Sequence, residues 1–89
     1  MAKYRKKPVV IEAVQYTGDN ESVAEIRSFV GEELSGNGRD LFIETLEGVH
    51  IASPGDWIIR GVKGEFFPIK NDIFLETYEK EVNDETLVG

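Results

Sequence analysis

Carboxylates are plentiful in the chain, 17 in all, but few residues are spaced as acid–base or nucleophilic chemistry would need them. His50 is the one histidine, with Glu44 before it and Ser53 after it. Set against Glu44 across a hairpin, its imidazole would be oriented as in a hydrolytic triad. That chemistry also needs a positioned nucleophile and oxyanion-hole donors, and nothing around Ser53 announces either. His50 therefore reads as a surface residue of a strand. One histidine among evenly scattered carboxylates offers no metal-ligand spacing, and the absence of cysteine excludes disulfides, thiolate zinc sites and a cysteine nucleophile together. "GNG" at 36–38 lacks the preceding strand and third glycine of a dinucleotide site, and no "GK[ST]" follows any glycine-rich loop. No cofactor and no catalytic residue are expected. The remaining constellation is Asp56, Arg60 and Glu65 beside Trp57, which would line a small-ligand pocket. An Arg and a Glu on paired strands more often make a surface contact with each other.

The bulk properties bound the rest. Eighty-nine residues make a single domain with a small core. With 40% hydrophobic and 30% charged residues, the composition is that of a folded globule. No apolar run reaches the roughly 18 residues of a membrane span, and no signal-type apolar stretch follows the basic start, so a soluble intracellular protein is expected. The net charge of −7 is unevenly spread, because Lys3, Arg5, Lys6 and Lys7 leave 6 basic residues against 17 acidic ones beyond position 7. Such an acidic body repels phosphate backbones. Nucleic acid would be met only weakly, through the basic arm 1–7, ahead of a core at 8–81 and a frayed tail at 82–89.

The elements follow from periodicity and turn chemistry. "PVVIEAVQY" (8–16) is β-branched with blurred alternation, which predicts an interior strand covered on both faces, its pairing starting beyond Pro8. In "TGDNESVAEIRSFVGEE", Val23, Ile26, Phe29 and Val30 take helical spacing, so one amphipathic helix of about three turns follows the first strand. Asp19, Asn20 or Ser22 can cap it, Ser22 with Glu25 has capping-box spacing, and Gly31 suits a left-handed stop. "GEELSGNGRD" is a loop. A three-residue loop Leu46-Glu47-Gly48 would then set Thr45 opposite Val49 and Ile43 opposite Ile51. "SPGD" suits a type II turn, and a second three-residue loop, Val62-Lys63-Gly64, would place Trp57, Ile59, Phe67 and Ile69 on one face and Ile58, Arg60, Phe66 and Pro68 on the other. A two-residue Val62-Lys63 loop, pairing Arg60 with Glu65, is the competing register. Asn71 or Asp72 can cap a short helix carrying Ile73 and Phe74, and Thr77–Glu81 can add a last strand.

The expected fold class is α+β: a small, mainly antiparallel, strongly curved sheet or partly open barrel of about five strands in hairpins, with one helix. The helix is expected to cover the face of Ile43, Ile51, Trp57, Ile59 and Phe67. Phe42, Ile58, Arg60, Phe66 and Pro68 then form either the interior of a partly closed barrel, plugged by Phe74 and Tyr78, or a partner or self-association surface.

Read in order, "KPVVIEAVQYTG", "LEG", "PGDWIIRGVKGEFFPIKNDIF" and "TYE" resemble a family of small uncharacterised proteins encoded by tailed phages and prophages. The resemblance covers residues 4–80 and is most specific from Pro54 to Phe74, with "TYE" at 77–79. Where that family often has "YPCKPDIF", this chain has "FPIKNDIF", so Phe67, Ile69 and Asn71 depart from it and any role of that cysteine lapses. The resemblance implies no activity. It implies a phage or prophage protein acting in the cytoplasm of a bacterial host. Two functions follow as expectations: a non-enzymatic protein–protein interaction module, homo-oligomeric or binding a phage or host protein, and a small-ligand-binding domain or minor enzyme with its pocket at the Trp57 hairpin.

Overall fold

In a computed structural model that describes residues 1–5, 7–31 and 34–80, the elements in chain order are β1 (Glu12–Gln15), α1 (Asn20–Val30), β2 (Ser35–Gly36), β3 (Leu41–Thr45), β4 (Gly48–Ala52), β5 (Trp57–Arg60), β6 (Phe66–Ile69) and α2 (Asn71–Thr77). The α+β class, the antiparallel hairpins and the helix after the first strand are as expected. The strands, however, divide into two three-stranded sheets, β1-β5-β6 and β2-β3-β4, and neither closes into a barrel. The sheets meet where β6 lies against β3 and β4. Pro68 helps to keep them separate. The Gly61 N–H bonds the Glu65 carbonyl, so in this register Pro68, opposite Ile58, turns its donorless nitrogen away from β5, toward the outer edge of β6.

The first strand is shorter than "PVVIEAVQY", and it is an edge strand where an interior one was expected. Glu12 faces Arg60, the last residue of β5, so Val9–Ile11 run past the end of their partner. α1 is laid down by local chemistry. The Asp19 carboxylate accepts the Ser22 N–H at 2.8 Å, the Ser22 hydroxyl accepts the Thr17 N–H at 3.2 Å, and Gly31 ends the helix at φ +81°. Glu25 takes no part in the cap, whose reciprocal partners are Asp19 and Ser22. α2 starts one residue before Asp72, has Lys70 at its N-cap with no side-chain bond, and passes through Thr77 into extended Tyr78. No strand follows among residues 78–80, and Glu81 lies outside the described residues, as does the tail at 82–89.

One hairpin keeps the expected register and one does not. β5 and β6 pair Trp57 with Ile69 and Ile59 with Phe67 around the Val62-Lys63-Gly64 loop, with Gly64 at φ +84°. β3 and β4 instead pair Ile43 with His50, Phe42 with Ile51 and Thr45 with Gly48, leaving a two-residue loop, Leu46-Glu47. The Thr45 hydroxyl closes that loop, donating to the Gly48 carbonyl at 2.7 Å and accepting the Glu47 N–H at 3.0 Å. Ile43 and Ile51 therefore point to opposite sides. Ile43 is buried with Leu41 and Ala52, whereas Ile51 is 56% exposed with Val49. Ala52 is the residue enclosed where β4 enters the Ser53–Asp56 corner, and this parity turns Ile51 outward.

The core joins α1 to both sheets: Tyr16, Ile26, Leu41, Ile43, Ala52 and Ile58, with Val23, Phe29 and Phe66 packed against them. Thus α1 covers the Ile58–Phe66 face and not the Trp57–Ile59–Phe67 face, the reverse of the expected choice. Tyr16 fixes that side. It shares the face of Val14 and Ile58, and its hydroxyl, buried within, donates to the Arg39 carbonyl.

Two expected outcomes follow. Ile58→Ala should destabilise the domain by about 2–5 kcal/mol through the cavity it leaves, and Ile51→Ala by no more than about 0.5 kcal/mol; urea unfolding measures both. The Asp19 carboxyl is held below its ordinary 3.8, first by the Ser22 N–H and then by the Ser22 and Thr17 hydroxyls. The capping contribution is then whole above the unfolded value and fades as pH falls through the depressed folded one. Asp19→Asn should keep helicity at neutral pH and remove that acid-side loss in a circular-dichroism titration.

Candidate functional site

The outer face of the β1-β5-β6 sheet carries Ala13, Gln15, Trp57, Ile59, Phe67 and Ile69. α2 packs onto one end of it. Phe74 stacks on Trp57 with ring centres 4.0 Å apart and planes 10° apart, and Tyr78, four residues on, leans on Phe74 at 5.3 Å. The indole Nε1–H donates to Asn71 Oδ1 at 2.9 Å, and Gln15 Nε2 donates to the same oxygen at 3.4 Å and to the Gly55 carbonyl at 3.1 Å. Asn71, expected as a helix cap, instead anchors the start of α2 to the sheet.

Beside this aromatic row an open groove of about 440 Å³ is lined by Val9, Ile11, Ala13, Trp57, Phe74 and Tyr78. A second, of about 640 Å³, runs over Ile59, Phe67, Val62 and Glu65 and shares Val9, Ile11, Tyr78 and Glu79 with the first. Both are predominantly apolar at the floor. Both are rimmed by charge, from Lys80 and Glu79 in one and from Lys7, Glu65 and Glu79 in the other.

The residues expected to line a Trp57 pocket are not brought together. Asp56 is buried at the corner before β5, where its carboxylate accepts the Ser53 N–H at 2.8 Å and meets Lys70 Nζ at 3.1 Å. Arg60 projects from the opposite face to Trp57 and pairs with Glu12 at 3.4 Å, both largely exposed; it does not pair with Glu65. The Glu65 carboxylate folds back over its own turn, accepting the Lys63 N–H at 3.0 Å and abutting Gly61, where a side chain would collide with it.

Nor do the five residues of the expected partner surface form a patch. Ile58 is fully enclosed, and Phe66 turns inward to meet Phe29 edge-on at 5.3 Å. Pro68 is half-buried against β4, Arg60 stands at the far end of the sheet, and Phe42 lies on the outer face of the other sheet with Val49 and Ile51. His50 and Glu44 fall on opposite faces of β4 and β3, so no triad-like pair exists between them. Among the described residues, no three His, Cys, Asp or Glu side chains gather as metal ligands, and no helix is long and apolar enough to cross a membrane.

Comparison of the chain with family models, curated proteins and solved structures finds no match in any of the three. The class is therefore defined by the fold alone: a two-sheet α+β domain whose outer sheet face is apolar, stacked with aromatic rings at one end and only partly covered, with open grooves along it. Phe74 and Tyr78, expected to plug a barrel lined by Phe42, Ile58, Phe66 and Pro68, pack instead on the opposite, Trp57 side. Val9, Ile11 and Ala13, the odd-numbered apolar series of the first strand, line this face with them, and Asn71 holds α2 to it.

The corner at Asp56 gives a stability test. Asp56→Ala leaves the Ser53 N–H without its acceptor beside a buried position and should cost about 1–3 kcal/mol. Lys70→Ala removes an exposed ammonium and should cost at most about 1 kcal/mol. Thermal or urea unfolding of the two variants decides whether Asp56 serves the turn rather than the ion pair.

Proposed function

We propose that the chain is a non-enzymatic protein–protein interaction module, phage- or prophage-encoded and acting in the cytoplasm of the bacterial host. In this reading the two sheets, packed with α1 around Ile43 and Ile58, serve as a rigid mount for the outer face. The observation that carries the reading is the apolar groove along Val9, Ile11, Ala13, Trp57, Phe74 and Tyr78, set on a body that carries 17 acidic residues. Trp and Tyr in such a setting are the side-chain types that anchor interfaces. The complementary partner is a phage or host protein that inserts apolar side chains from a basic surface. Charge attraction of this kind speeds encounter and weakens with salt. The resemblance to phage proteins supports the cellular setting.

The second reading, a small-ligand site, draws on the same groove. The indole N–H, Gln15 and Asp56 are already engaged within the protein, so a ligand taken there would be held by its apolar surface. The single tryptophan reports on it, since a ligand stacked near Trp57 would shift its emission.

Affinity capture from infected or lysogenic cells, followed by titration of the purified partner, tests the main reading. Tyr78→Glu, which places a carboxylate in the groove without touching a strand, should weaken the captured interaction at least about tenfold, or about 1.4 kcal/mol, and rising salt should weaken it further. A variant that binds as tightly as wild type would remove the groove from consideration.

A further inference from the structure

The two edges of the β1-β5-β6 sheet are treated differently. β6 is blunted by Pro68, whose missing donor faces outward. β1 has none of the usual protections: no proline or lysine between Val9 and Tyr16, and one charge, Glu12, which is engaged by Arg60. Among the described residues, β1 pairs on one side only. The Tyr16 N–H bonds the Asp56 carbonyl at 2.8 Å, so alternate residues Val14 and Glu12 also point their backbone groups at β5. The N–H and C=O groups of Ile11, Ala13 and Gln15 then point away from it. Upstream of β1, Val9 and Val10 lie beyond the end of β5, 43% and 76% exposed.

We infer that this edge binds a second copy of the chain, β1 against β1 in antiparallel sense about a two-fold axis, giving a continuous six-stranded sheet. The inference deepens the proposed interaction module and rests on that reading for its role in the cell. The charge order of the segment selects the occupant. Lys3, Arg5 and Lys7 lie at one end, apolar residues follow, and Asp19 and Glu21 lie at the other. Antiparallel self-pairing lays the basic arm of one copy along the acidic entry to α1 of the other, whereas parallel pairing would set lysine beside lysine. An isologous contact needs this kind of self-complementary patch. The outward hydrogen-bonding residues are odd-numbered, which restricts the register. Centring it on Glu12 would oppose two carboxylates. Centring it on Ile11 sets Ile11 against Ile11, Val9 of one copy against Ala13 of the other and Lys7 against Gln15, and joins the two outer apolar faces side by side.

The test is sedimentation equilibrium with cysteine cross-linking. Wild type should run at twice the 10.0 kDa of the chain, and the dimer should dissociate as salt rises. Ile11→Cys, the sole cysteine of its chain, should give a reducible covalent dimer under mild oxidation, since antiparallel bonded pairs stand about 5.5 Å apart, within disulfide reach. Ile11→Lys should return the chain to monomer mass with an unchanged circular-dichroism spectrum, and Ile51→Lys, on the other sheet, should not. Monomeric wild type, a dimer that Ile51→Lys breaks, or an Ile11→Cys chain that fails to cross-link overturns the proposal, the last even if Ile11→Lys misfolds. A monomer that still captures a partner sinks only the edge pairing, and a dimer that captures nothing sinks only the groove.

Discussion

Ile58 and Ile59 are consecutive residues of one strand, and both are enclosed, at 0% and 1% exposure. A strand sends neighbours to opposite faces, so β5 is stable only if both sides of its sheet are roofed. That constraint organises the molecule. On one side the roof is α1 together with the β2-β3-β4 sheet, whose Ile26, Leu41 and Ile43 close over Ile58. On the other it is made from what remains: the short α2, the stretch from Val9 to Ile11, and Tyr78. A chain this size has too little apolar area to roof both sides equally. The second roof is consequently thin, and its gaps are the grooves.

The uneven roofing also explains why the adjacent phenylalanines of β6 behave differently. Phe66 enters the shared core and meets Phe29, while Phe67 lines an open groove. The same parity runs through β1, where Val14 and Tyr16 go inward and Ile11 and Ala13 line the outer surface. Trp57 sits at the boundary. Its ring is stacked by Phe74 and its N–H is held by Asn71, so the outer face is firmly covered at the end where α2 is docked, whereas toward Ile59 and Phe67 it is bordered by an open groove.

Local chemistry made some of this legible in the sequence. The α1 boundaries are set by Asp19 and Gly31, a cap and a stop that act within a few residues, and the β5–β6 register by a glycine in left-handed conformation at position 64. The same reasoning failed at Gly48, because a rival local device was present: the Thr45 hydroxyl closes a two-residue loop without requiring a left-handed residue within it. One residue of slip reversed Val49, His50, Ile51 and Ala52 together. The side on which α1 packs was beyond local reasoning altogether. It depends on the long-range bond from Tyr16 to the Arg39 carbonyl and on where the second sheet lands, neither of which any short window of sequence contains.

The polar side chains around the groove and at the element ends are drawn into the corners of this frame. Asp56 closes the Ser53 turn, Glu65 folds over its own loop, Asn71 and Gln15 tie α2 to the sheet, and Asp19 caps α1. Each is held by a backbone N–H or by a neighbour in the structure, so each contributes to holding a turn or a helix end in place. What the outer surface then offers a partner is of two kinds, apolar area along Val9, Ile11 and Trp57 and unevenly distributed charge. Both favour contact with another macromolecular surface, the first because its burial removes apolar area from water and the second because it orients the approach. An arm of one sign joined to a body of the other adds a further condition: intramolecular contact is limited where Val9–Ile11 outrun β5, so the basic end is carried past the sheet to which it belongs and toward whatever acidic surface lies next to it.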